Sequence, residues 1–128
     1  MDARLDPARA LGLEEGDTHV IRNAGGRAKD AIRSIVISQQ LLGTEEVLVI
    51  HHTDCGMLTF TDPQLHQILQ DRFDGNDLEG VDFLPFPNLE DSVREDVKFI
   101  RESKVVKDSI AVSGWVYEVE TGKIRPVG

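Results

Sequence analysis

The sequence predicts an α/β domain with a mostly parallel β-sheet flanked by helices, and three observations support this. Residues 46–51 and 109–112 are short, largely apolar runs, typical of strands covered on both faces. Segments with a helical period separate them. The length of 128 residues, with 40% hydrophobic side chains, suits one domain with its own core. Strands that alternate with helices favour a parallel sheet.

The first third of the chain contains helix and turn signals in a clear order. Pro7 after Asp6 predicts a short helix over residues 8–11, which Gly12 ends. Residues 18–22 are predicted to form a strand. A longer helix follows, because apolar residues recur at steps of three and four, at Ala28, Ile32, Ile35, Val36 and Leu42.

The remainder of the chain continues the alternation. Helices are predicted over residues 63–73 and 89–103, the second one amphipathic, with a Gly-, Pro- and acid-rich loop over residues 74–87 between them. A buried strand at 109–112 is followed by an alternating strand at 114–119. Thr121-Gly122-Lys123 then predicts a hairpin turn.

Composition excludes several classes of protein. The chain has 14 Lys and Arg against 23 Asp and Glu, a net charge of −9, which disfavours binding to nucleic acid. No apolar run is long enough to cross a bilayer, so no membrane partner is expected. A single cysteine, Cys55, excludes an internal disulfide and is consistent with a reducing, cytoplasmic location.

His52 and Cys55 form a His-x-x-Cys pair directly after the strand at 46–51. An imidazole and a thiolate at this spacing can both reach one zinc ion. The spacing alone is weak evidence, because a buried cysteine beside a turn-capping histidine gives the same pattern. Thr53 and Asp54 lie between His52 and Cys55 in the sequence. They either orient the metal ligands through hydrogen bonds or simply form the turn.

Asp2 and Arg4 are a second pair of interest. A carboxylate and a guanidinium two residues apart can pair, which lowers the pKa of the carboxyl group and orients it. Taken alone, such a pair is most often a surface ion pair of little energetic value.

The order of the motifs is more specific than any one of them. Met-Asp-Ala-Arg-Leu is followed by Arg-Asn-Ala-Gly at 22–25, by His-His-Thr-Asp-Cys-Gly-Met at 51–57 and by Gly-Trp-Val-Tyr at 114–117. This series, which spans nearly the whole chain, resembles the β-class carbonic anhydrases.

The resemblance implies a zinc enzyme and assigns roles by position. His52 and Cys55 match two of that family's three zinc ligands. Asp2 and Arg4 match its catalytic Asp-Arg dyad, in which the Asp orients or deprotonates the zinc-bound water or itself ligates the metal. Asn23, Ala24 and Gly25 match a segment beside the substrate site. The implied reaction is reversible hydration of carbon dioxide to bicarbonate by zinc hydroxide, in a homodimer or higher homo-oligomer.

The sequence departs from the family pattern at one ligand. The family's first zinc-binding cysteine stands two positions before the Asp of the dyad, a position that precedes Met1. The expectation is therefore a single β-carbonic-anhydrase-like domain over residues 1–128 that is amino-terminally incomplete. A proton must also leave the site, and His19, His51 and His66 are the imidazoles available to carry it.

Three alternatives remain open from the sequence. The same zinc chemistry could hydrolyse an analogue of carbon dioxide such as carbon disulfide. A non-catalytic carbonic-anhydrase-like protein would explain the absent ligand. Cys55 could also act as a nucleophile without metal, although its spacing from His52 favours shared ligation of a metal ion.

Overall fold

Along the chain, two helices precede the first strand, and two further helices separate it from a pair of strands. A computed structural model describes all residues, 1–128. The helices are α1 (Pro7–Leu11), α2 (Ile32–Leu41), α3 (Asp62–Arg72) and α4 (Leu89–Glu102), and the strands are β1 (Glu46–His52), β2 (Ala111–Glu118) and β3 (Lys123–Val127). Single 3₁₀ turns lie at Ala24–Gly26, Ala28–Asp30 and Gly56–Leu58.

Local signals account for where the helices begin. The Asp6 side chain accepts a hydrogen bond from the first turn of α1, and Gly12 ends that helix in the left-handed region, with φ of 65°. Thr61 and Gln64 form a reciprocal capping box at the start of α3. The Asn88 side chain caps α4.

The sheet has the order β1-β2-β3. β1 and β2 are parallel, with Glu46 opposite Ala111 and His52 opposite Tyr117. β2 and β3 form the antiparallel hairpin that the turn residues predict. The α/β class is therefore confirmed, with one parallel and one antiparallel pair of strands.

The core lies where α4 and α2 pack on the sheet. Val93, Val97 and Ile100 of α4 meet Val112 and Val116 of β2, all of them buried. β1 is buried only from Val49 onward. Its carboxyl end is therefore the enclosed end, and this positions the residues that follow it.

The strand predicted for residues 18–22 is wrong. The segment has no strand partner, and Val20 and Ile21 are about half exposed. Since extended backbone is stabilised mainly by pairing with a neighbouring strand, β propensity alone does not produce a strand here.

The two strands predicted at 109–112 and 114–119 are one continuous strand, β2. Gly114, the first residue of the second predicted strand, lies where α4 crosses the sheet. A Cβ atom at this position would lie 2.5 Å from Val93 Cγ1 and 3.0 Å from Val97 Cγ2. The glycine therefore permits close packing of the helix and does not form a turn.

None of the helices combines the length and the apolar character that crossing a membrane requires.

The contact between α4 and Gly114 gives a stability prediction. Gly114→Ala should lower the free energy of unfolding by about 1–3 kcal/mol, because the added methyl group overlaps two valine side chains. Gly80→Ala is the control, since a Cβ atom there meets nothing within 4 Å, and it should change stability by less than about 0.5 kcal/mol. Urea unfolding of both variants measures the difference, and equal midpoints would show that the close packing is not rigid.

Candidate active site

His52 and Cys55 are adjacent at the carboxyl end of β1. His52 is the last residue of the strand, and Cys55 immediately precedes the 3₁₀ turn Gly56–Leu58. Both residues are buried. Nδ1 of His52 lies 2.7 Å from the carbonyl oxygen of Thr53, which can only accept a hydrogen bond. The Nδ1–H therefore donates, and Nε2 is the ring nitrogen left for another partner.

Thr53 fixes the turn between these two residues to the neighbouring strand. Its backbone N–H donates to the carbonyl oxygen of Tyr117 at 2.9 Å, and its hydroxyl oxygen accepts from the backbone N–H of Val119 at 3.0 Å. The hydroxyl group donates to Glu120 Oε2 at 3.0 Å. The turn therefore continues the register of β1 against β2 and holds Cys55 next to His52.

The two side chains shift each other's pKa. A hydrogen bond with the Cys55 thiol raises the pKa of His52, although burial works against this shift. Burial alone would raise the pKa of Cys55, but the hydrogen bonds from His52 and from the backbone of Met57 outweigh it, so the thiol pKa is lowered. The pair thus favours the thiolate, which is the form of cysteine that binds metal ions.

Asp2 and Arg4 form the ion pair that their spacing predicts. Nε and Nη2 of Arg4 donate to the two carboxylate oxygens of Asp2 at 3.0 and 2.9 Å. These hydrogen bonds hold the pKa of Asp2 well below its usual range and raise the pKa of Arg4. Asp2 Oδ2 lies 3.7 Å from His52 Nε2. The structure therefore brings the two predicted constellations together at one site.

The loop of residues 23–26 lies against this site. Asn23 accepts from the backbone N–H of Arg27 at 2.8 Å and donates to the Arg27 carbonyl at 3.1 Å, so its amide closes the loop. Ala24 begins the 3₁₀ turn, and Gly25 has φ of 79°. A Cβ atom on Gly25 would lie 2.9 Å from Met57 Cγ, so only glycine lets the loop approach the turn after Cys55.

His51 is not available to carry a proton to solvent. Its side chain is fully buried, with Nε2 at 3.0 Å from both the Gly26 carbonyl oxygen and Asp96 Oδ2. Nδ1 is 2.8 Å from the Ser92 hydroxyl. Because the Gly26 carbonyl only accepts, the Nε2–H of His51 is the donor in this contact. His19 and His66 contact Ser38 and the Val81 carbonyl, respectively.

Asp96 and Arg27 complete this buried cluster, and sequence reasoning missed both. Arg27 Nη2 is 3.1 Å from Asp96 Oδ1, and the backbone N–H of Ala28 donates to Asp96 Oδ2 at 3.1 Å. The available signal was in α4: Asp96 falls on the apolar face of that helix, between Val93 and Val97. A carboxylate on an apolar face requires a buried partner.

The predicted metal ligands fit zinc in part. An imidazole nitrogen and a cysteine with a lowered pKa are donors that zinc prefers, and the proton that His52 shares with Cys55 would leave as a metal ion binds. No group of three or more His, Cys, Asp or Glu side chains is arranged so that it could hold a metal ion by itself. Asp2, the third predicted ligand, is paired with Arg4.

Comparison with known proteins shows the family to which the chain belongs. The model of the carbonic anhydrase family matches residues 1–78, and the relatives below are of the β class. The chain therefore belongs to the β-class carbonic anhydrases, a family of enzymes. Beta-carbonic anhydrase 1 of Mycobacterium tuberculosis is 44% identical over 128 residues, which cover 99% of this chain and 77% of the relative.

Two further relatives extend the comparison. A solved carbonic anhydrase from Glaciozyma antarctica superposes with a TM-score of 0.96 at 52% identity, covering all of this chain and 78% of that one. A carbon disulfide hydrolase of Acidithiobacillus thiooxidans is 33% identical over 147 residues, covering 98% of this chain and 73% of the relative.

The buried cluster gives the prediction of this section. Asp96→Asn should lower the free energy of unfolding by about 2–4 kcal/mol, because it removes the only buried counter-ion of the Arg27 guanidinium. Glu95→Gln is the matched control: Glu95 contacts the same guanidinium at 3.3 Å but its side chain is 69% exposed, so the loss should stay below about 1 kcal/mol. Thermal or urea unfolding compares them, and a smaller loss for Asp96→Asn than for Glu95→Gln would contradict the assignment.

Proposed function

We propose that this protein catalyses the zinc-dependent, reversible hydration of carbon dioxide to bicarbonate. One observation carries the proposal: His52 Nε2, the Cys55 thiol and the Arg4-paired carboxylate of Asp2 converge at one end of β1. Family membership supports the same reaction, because relatives with this fold are named carbonic anhydrases.

His52 and Cys55 are the side chains that would hold zinc. When bound, zinc supplies Lewis acidity, which lowers the pKa of a coordinated water from 15.7 to about 7. His52 is oriented for this task by its Nδ1–H hydrogen bond to Thr53, and Cys55 by the turn that Thr53 anchors.

Asp2 would orient the reacting water and Arg4 would orient Asp2. Because pairing with Arg4 keeps the pKa of Asp2 well below its usual range, the carboxylate stays ionised and is a weak base. Asp2 Oδ2 therefore accepts a hydrogen bond more readily than it stores a proton. The backbone of Asn23, Ala24 and Gly25, which packs against the turn after Cys55, is proposed to border the bound carbon dioxide.

We also propose that residues 1–128 form one domain that assembles into a homodimer or larger homo-oligomer. β1 is paired on one side only, and its Leu48 is exposed. Leu41 and Leu42, at the end of α2, are also exposed, at 76% and 62%. An apolar surface of this kind is typical of subunit contacts. A cytoplasmic compartment suits the free thiol on which the proposed site depends.

Carbon disulfide hydrolysis is the second candidate. It is favoured by the relative of that name, which matches 98% of this chain. The same donors would serve either reaction, since both substrates are linear molecules with an electrophilic carbon. Release of hydrogen sulfide measures the turnover of carbon disulfide, and comparison of this rate with the rate of carbon dioxide hydration separates the two candidates.

Stopped-flow measurement of carbon dioxide hydration tests the proposal on zinc-loaded protein. Cys55→Ser should reduce both bound zinc and the rate by at least about 100-fold, because loss of a ligand costs more than loss of an outer partner. Glu102→Gln, on the exposed face of α4, is the control and should match the unmodified protein. Hydration that survives both a chelator and Cys55→Ser would exclude the proposed zinc dependence of the reaction.

A second experiment tests the effect of the zinc-binding cysteine that the family pattern places directly before Met1. The Met1 amino group donates to the Asn23 carbonyl at 2.8 Å, in the loop that packs against the turn after Cys55. A protein with one cysteine added directly before Met1 should therefore bind zinc at least about tenfold more tightly than residues 1–128, and one with an added serine should not. Competition with a metal indicator measures the affinity, and equal affinities for the two additions would contradict this prediction.

A further inference from the structure

Arg4 is shared between two carboxylates, and the proposed function uses only one of them. One edge of the guanidinium binds Asp2. On the other side, Nη1 donates to Asp54 Oδ2 at 2.9 Å, and Nη2 also donates to the backbone carbonyl of Asp54 at 3.1 Å. Asp54 therefore holds Arg4 through both its side chain and its backbone.

The backbone of Asp54 adopts an unusual conformation. Its φ is 52°, and Leu84 is the only other residue besides glycine with a positive φ. Positive φ is unfavourable for residues with a Cβ atom and not for glycine, although Asp and Asn adopt it more readily than most residues. The conformation occurs within the turn that joins His52 to Cys55. Such strain at a candidate site is a reason to look for a role of the residue in function.

Stability does not explain the contact between Asp54 and Arg4. The Asp54 side chain is 77% exposed and that of Arg4 is 47% exposed, and exposed ion pairs contribute little to folding. A second carboxylate also adds negative charge next to Asp2. The contact does restrict the guanidinium, because four donated hydrogen bonds to two residues leave it one orientation.

We propose that Asp54 is a positioning residue that holds Arg4 against Asp2 and so keeps the Asp2 carboxylate beside His52. The inference rests on the proposed function, in which Asp2 orients the reacting water. Asp54 acts only through Arg4: it makes no hydrogen bond to His52 or Asp2. The turn thus supplies both the two metal donors and the group that steadies the dyad.

Two variants of Asp54 test this role and are expected to fold. Asp54→Asn removes the charge but keeps an oxygen acceptor and a residue that tolerates positive φ. Asp54→Gly removes the side chain and relieves the backbone, so its melting temperature should be no lower than that of the unmodified protein. Asp74→Asn, in the exposed loop after α3, is the control because Asp74 has no hydrogen-bond or ion-pair partner.

The first readout is the motion of Arg4, measured by ¹⁵N relaxation at its Nε. Restraint should decrease from the unmodified protein to Asp54→Asn and further to Asp54→Gly, while Asp74→Asn should match the unmodified protein. This measurement does not depend on turnover. It therefore tests the role of Asp54 even in a protein without hydration activity. Absence of hydration activity would count against the proposed function and not against the role of Asp54. An Arg4 Nε that is as rigid in Asp54→Gly as in the unmodified protein would overturn the inference.

The second readout is the split between kcat and KM. Asp54→Gly should lower kcat by about 3–10-fold and leave KM and bound zinc unchanged. Loss of a residue that orients a metal ligand typically costs about 10–100-fold, and Asp54 acts one step further from the metal, so the expected loss is smaller. Weaker zinc binding with an unchanged Arg4 signal would also overturn the inference, because the effect would then run through Cys55.

Discussion

The site depends on one geometric constraint, the alternation of side chains at the enclosed end of β1. Successive residues of a strand point to opposite faces. His51 therefore turns toward α4, where Ser92 and Asp96 bind both ring nitrogens, while His52 turns toward Cys55 and Asp2. Parallel pairing with β2 fixes this register, since His52 lies opposite Tyr117. A slip of one residue would exchange the two imidazoles and leave the proposed metal donor in the core.

Two layers of polar groups surround that strand end. The inner layer is buried: Asp96 contacts both His51 and Arg27 and ties α4 to the loop at 26–28. The outer layer is half-open, and Arg4 balances part of the negative charge of Asp2 and Asp54 there. The buried layer supplies rigidity, and the outer one keeps a carboxylate ionised where a reacting water would sit. This division separates the two adjacent histidines: His51 lies in the buried layer, and His52 faces the outer one.

Much of this arrangement was predictable from the sequence, for identifiable reasons. Helix caps, the apolar run of β1 and the turn residues of the hairpin are local signals, and the elements they predict are present. The proximity of Asp2 to His52 came from resemblance to a family, since nothing local joins residues 50 positions apart. The buried cluster was missed because Asp96 and His51 meet only through tertiary packing. Residues 18–22 were misjudged because a strand needs a partner that propensity does not provide.

The most direct test of the central claim is X-ray absorption at the zinc edge of the zinc-loaded protein. If His52 and Cys55 share the metal, the spectrum will show sulfur at about 2.3 Å together with nitrogen or oxygen at about 2.0–2.1 Å. The sulfur contribution should disappear in Cys55→Ser. A first shell of oxygen and nitrogen alone in the unmodified protein would contradict the account.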